Sequence, residues 1–137
     1  FIMIRFDDIY KTLNTHLGGI VDASYPKDRP ESVQDKVQSF IVISMPSMID
    51  MPLVGSNDYN TDLEIEVFVR DKNTKASPNL IRLETIENKM QLLFDKFPYR
   101  FTDFKVGKPK IMFHGKDDGK GFHYSLIQAQ ITTFVNK

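Results

Sequence analysis

The stretch DLEIEVFVRDKN, residues 62–73, alternates apolar and polar side chains with a period of two. Leu63, Ile65, Val67 and Val69 fall on one side, and Glu64, Glu66, Phe68 and Arg70 on the other. Successive side chains of an extended chain point to opposite faces, so the pattern specifies a strand with one face in a core. A helix would scatter the same residues around its circumference. One strand is not stable alone, so the segment also demands pairing partners and a covering layer.

Partners are present on both sides in sequence. SFIVISM, residues 39–45, is a short run rich in Ile and Val and reads as a well-buried strand. FTDFKVGKPKIMFHG, residues 101–115, reads as a strand broken or bulged near Gly107 and Pro109. FHYSLIQAQITTFV, residues 122–135, places Ile127, Ala129, Ile131, Thr133 and Val135 on one face. Between these last two, KDDGKG supplies a hairpin turn with glycines where positive φ is needed. IVDASYP, residues 20–26, has room for a short strand, and the polar run 26–38, with Pro26 and Pro30, reads as a surface loop.

The covering layer comes from two helices. Phe6, Ile9, Tyr10, Leu13 and Leu17 recur at helical spacing, with Asp7 or Asp8 to cap the start and Gly18 and Gly19 to end it. Residues 77–97 carry a second stripe of Leu83, Ile86, Met90, Leu93 and Phe97, widened by Leu80, Ile81 and Phe94. There Ser77 reads as the N-cap and Pro78 as the first helical residue. The order predicts a single α+β domain over residues 1–137. Its antiparallel sheet has about four to five strands, with both helices packed on one face.

The other sheet face would carry Phe68, Tyr124 and Phe134 among Glu64, Glu66, Gln128 and Gln130. A half-apolar face of this kind suits contact with another subunit. Aromatics scattered singly on a solvated face are the alternative.

MPSMIDM spaces Met45, Met48 and Met51 by three residues, a spacing used by soft thioether sites for Cu(I). Met45 and Met51 each precede a proline, which drives them towards extended conformations. Met48 then points away from the other two, and no His or Cys stands nearby as a further ligand. Met45 therefore reads as part of the buried strand. Met48 and Met51 read as adaptable apolar contacts, and residues 48–59 as an arm acting in assembly rather than folding. The candidate interface residues are Met48, Ile49, Met51, Leu53, Tyr59, Phe68, Tyr124 and Phe134.

Other chemistry is sparse. The chain has no Cys, which removes disulfides, thiolate metal sites and Cys nucleophiles. Lys+Arg and Asp+Glu both number 18, so there is no positive excess for nucleic acid and little repulsion between copies. No apolar run approaches the roughly 20 residues of a membrane helix. His114 and His123 flank the late turn and, with Asp117 and Asp118, could suggest a metal set, but the acidic pair reads better as support for the turn, through its own backbone hydrogen bonds. His16 reads as solvent-facing or as favoured by its helix end. Lys105, Lys108, Lys110 and Lys116 read as guards of a strand edge. No nucleophile elbow, HExxH, P-loop or dinucleotide glycine motif occurs, so no enzyme, cofactor or metal site is expected. Met3 is a candidate native start, and a reducing, intracellular setting is the default expectation.

In element order the chain resembles the tail terminator (tail-completion) proteins of long-tailed phages and prophages. The resemblance rests on the helix FDDIYKTLNTHLGG, a polar Pro-containing loop leading into SFIVIS, and the alternating LEIEVFVRDKN. A helix NLIRLETIENKMQLLF and a final hairpin ending in HYSLIQAQITTFV complete it. It departs from that family in having Phe68 where Trp is common, and in its long methionine loop. The resemblance implies a structural virion-assembly protein without catalysis. Such a protein forms a homo-oligomeric, usually hexameric ring that caps the tail tube and ends its polymerisation. Its implied partners are the tail tube protein and the head–tail connector, and its place is the virion tail, with the host cytoplasm during assembly. A small ligand-binding or regulatory α+β domain that dimerises through its sheet is the alternative.

Overall fold

The computed structural model describes residues 6–45, 59–73, 77–94, 99–102 and 104–133, and only the backbone of Tyr59 and Asn60. Its central pair is β3 (Tyr59–Arg70) and β7 (Phe122–Thr133), antiparallel from Tyr59 opposite Thr133 to Arg70 opposite Phe122. β2 (Ser39–Ser44) lies antiparallel on the far side of β3, and β1 (Ala23–Pro26) lies parallel to β2. The other edge of β7 is shared. β5 (Phe104–Val106) pairs with its end and β6 (Lys110–Asp117) with its beginning, while β4 (Tyr99–Arg100) pairs with β5. The result is a seven-stranded mixed sheet that is antiparallel except at β1–β2.

The α+β class stands, and the sheet is broader than the four to five strands expected. The anticipated break in the late strand falls at 107–109, where Gly107 N donates to Gln130 O at 2.8 Å and separates β5 from β6. β4 is too short to leave a periodic signal.

α1 (Phe6–Leu17) and α2 (Leu80–Leu93) cover one face. Phe6, Ile9, Leu13 and Leu17 join Leu83, Ile86, Met90 and Phe94 over Ile41, Ile43, Leu63, Ile65, Ile127 and Ile131 in one buried cluster. Met45 belongs to the same core. The cap of α2 is Asn79 rather than Ser77, its side chain accepting from Arg82 N at 3.3 Å. Asn caps as well as Ser, and the helix simply begins later than Pro78 suggested. Leu80 and Ile81 therefore sit in the first turn and are exposed instead of widening the stripe. His16 is also differently placed. Its Nε2–H donates to Leu93 O at 2.8 Å, capping the end of the neighbouring helix, and its ring packs on Phe94, Tyr99 and Phe101.

The second face is not open along its whole width. Val37, Phe40, Val42, Phe68 and Phe122 form a second buried cluster beneath the run 26–38. Phe40 stacks on Phe68 with ring centroids 4.6 Å apart, and Phe68 stacks on Tyr124 at 4.8 Å. The Arg29 guanidinium lies over Phe40, Phe68 and Phe122, while its Nη2 pairs with Asp118 at 2.9 Å. Arg70 donates twice to Val37 O, and its guanidinium lies 4.6 Å from the centroid of the Phe122 ring. The polar run thus packs as a lid, because its arginine has both an anion and π faces to satisfy it.

Candidate functional site

Of the expected interface residues, Met48, Ile49, Met51, Leu53 and Phe134 lie outside the described residues, and Tyr59 is described only as the first backbone position of β3. That position corrects the expected arm, which can extend no further than residue 58. Phe68 is 2% exposed and packs inside the chain, so it offers no area to a partner. Tyr124 is half-buried between Phe68 and Phe113.

The accessible apolar surface lies elsewhere. Ile111 and Met112 on β6 are 41% and 53% exposed, and Ile81 at the start of α2 is 75% exposed. Among the described residues β6 is paired only with β7, leaving its other edge unmatched. Register shifts at Ile111/Phe113 and Phe113/Lys116 bend this edge. Gly115 sits at the second bulge with φ +71°, and a Cβ there would meet Leu80 Cδ2 at 3.1 Å. β6 is thereby drawn against the first turn of α2, which brings Leu80 beside the edge. Lys108, Lys110 and Lys116 are exposed along it, as expected of edge guards.

A second surface is concave and acidic. A cleft of about 440 Å³ is lined by Phe6, Lys27, Asp28, Ser44, Met45, Glu64 and Glu66. Phe6 and Met45 are each the last described residue on their side of the cleft. Lys27 adopts φ 66°, uncommon for a residue with a Cβ, and its ammonium stands 5.5 Å from the Phe6 ring. Burial, and then the charges of Glu64 and Asp28, raise the pKa of Glu66.

The raised Glu66 pKa means that the folded state holds its proton more tightly than the unfolded chain. Stability therefore falls as pH rises from the ordinary Glu range through the raised value. Glu66→Gln is expected to raise the melting temperature at pH 7 and to lose that advantage below the ordinary Glu range. Melts of both proteins across pH check this. An advantage that persists at low pH would assign the effect to packing instead of charge.

The histidines are separated. His114 Nδ1 bonds the buried Glu87 of α2 at 2.8 Å, while His123 Nδ1 bonds Asp71 at 2.6 Å. Asp118 is taken by Arg29 and by turn amides, so the suggested set of His114, His123, Asp117 and Asp118 does not assemble. The turn role of both aspartates is present: Asp117 Oδ1 accepts from Gly119 N, and Asp118 Oδ1 from Lys120 N. Ser125 Oγ lies 3.4 Å from His114 Nδ1, but that nitrogen is engaged by Glu87 and Ser125 is fully buried. The trio is therefore not arranged as an activated nucleophile.

No helix of the described residues is long and apolar enough to cross a membrane. No family model and no curated protein sequence matches this chain.

Proposed function

We propose that the chain is a structural subunit of a phage-like tail, forming a hexameric ring that caps the tail tube, ends its polymerisation and meets the head connector. The observation that supports this reading is the bulged strand β6, whose outer edge is unmatched among the described residues and which bears Ile111 and Met112 among lysines, on a chain that also carries an apolar and acidic cleft. A closed ring needs two different patches that match each other. The basic edge around β6 and the cleft at Asp28, Glu64 and Glu66 are opposite in charge, and each includes apolar side chains, Ile111 and Met112 on the edge and Phe6 and Met45 in the cleft. Residues 46–58, between β2 and β3, carry the apolar residues expected to reach a neighbour. No catalytic step is assigned to the protein.

One observation favours the alternative, a ligand-binding or regulatory domain that dimerises through its sheet. Glu64, Gln128 and Lys110 stand in one row across β3, β7 and β6. An acid and a base so placed would also match about a two-fold axis.

The test is electron microscopy of tails assembled with a labelled copy. The ring reading predicts label at the head-proximal end of the tube. Label along the tube, or none on tails, would overturn it.

A further inference from the structure

We propose that Asp71, Asp117 and His123 form a binding site for a divalent transition cation, of which Zn²⁺ is the representative. The three groups come from the exit of β3, the end of β6 and the start of β7, and one ligand atom from each lies within 4.8 Å of the others. The site goes beyond the assembly role and does not depend on it.

An ion pair that merely braces the hairpin explains only part of this geometry. Asp71 Oδ1 bonds His123 Nδ1 at 2.6 Å, and its side chain is 2% exposed. Asp71 Oδ2 is buried and has no hydrogen-bond partner among the described residues. A buried carboxylate oxygen without a partner is costly, and paired burial alone leaves that cost in place. A cation bound at the carboxylate removes it. Asp117 is exposed and uses Oδ1 to accept from Gly119 N, which leaves its second oxygen for a metal.

The distances suit a small ion. Ligands about 2.1 Å from a metal cannot stand more than roughly 4.2 Å apart. A tetrahedral Zn²⁺ site spaces its ligands roughly 3.4 Å apart, so the widest pair must close by roughly 1.4 Å at most, a movement for the torsions of the exposed Asp117 side chain, while Asp71 Oδ1 and His123 Nδ1, now 2.6 Å apart, must open. One imidazole with two carboxylates suits Zn²⁺ and its first-row neighbours better than Mg²⁺, which prefers oxygen alone in a strict octahedron. In a neutral ring the proton now shared with Asp71 moves to Nε2, and the Nδ1 lone pair passes to the metal. No proton is lost from the ring in that exchange. The ion would tie the exit of β3 to both strands of the β6–β7 hairpin at one end of the central sheet.

The experiment titrates the full chain with ZnCl₂ and, separately, MgCl₂ by calorimetry, and follows the His123 ring nitrogens by ¹⁵N NMR. Zn²⁺ is expected to bind one per chain and shift the His123 Nδ1 resonance, while Mg²⁺ binds far more weakly. Asp117→Asn keeps the turn bond to Gly119 and removes the charge, so it should fold normally and weaken Zn²⁺ binding roughly tenfold or more. The distant Asp62→Asn should bind as the parent does. Absence of Zn²⁺ binding, binding that survives Asp117→Asn, or a His123 signal that does not move would each overturn the proposal.

Discussion

Phe40→Ala is expected to destabilise the fold by about 4 kcal/mol, the cost typical of deleting a fully buried phenylalanine. Phe40 has no exposed area, lies parallel to Phe68, and meets Tyr25 and Phe122 edge-on. Its loss removes burial, leaves a cavity and breaks three ring contacts at once. The cavity has little chance to collapse, because the run 26–38 above it is pinned by Arg29 to Asp118 and by Val37 O to Arg70. Against a total stability of about 5–15 kcal/mol, such a loss brings the domain close to unfolding at physiological temperature. Urea denaturation measures it, with the exposed Ile81→Ala as a control expected to change stability by less than about 0.5 kcal/mol. A loss below about 1 kcal/mol at Phe40 would mean that the second face is solvated and the aromatic cluster contributes little.

The double substitution Ile111→Lys, Met112→Lys is expected to abolish self-association while leaving the subunit folded. Both side chains are exposed in the single chain, so their replacement changes its stability by less than about 1 kcal/mol. In an interface the same residues lose apolar contact and bring two more charges to an edge already rich in lysine. A combined effect of about 3 kcal/mol weakens association by more than a hundredfold. Sedimentation velocity beside a thermal melt reads both quantities. Intact association in a folded double variant would place the contact away from β6.

Much of the architecture was legible because its signals are local. The alternation of β3, the buried stripes of both helices, the glycine turn of the last hairpin and the break at 107–109 each follow from neighbouring residues. The lid over the second face has one local sign in the sequence. SFIVIS is apolar at Phe40 and Val42 as well as at Ile41 and Ile43, and a strand apolar on both sides requires cover on both. The run 26–38 hid this because its burial depends on Arg29 finding Asp118 and three rings, a match made by distant segments. Phe68 shows the same limit, since its burial follows from the register Phe40–Phe68–Tyr124 across three strands. The group at Asp71 was hidden for that reason too. Both histidines flank the turn in sequence, but only the pairing of β3 with β7 brings Asp71 to His123.

Native mass of the unmodified chain is the most direct measure of the central claim. The assembly account predicts a closed hexamer that dissociates when Ile111 and Met112 are replaced by lysine. A discrete two-fold dimer would favour the sheet-dimerising domain, and a monomer at every concentration would contradict self-assembly through these surfaces.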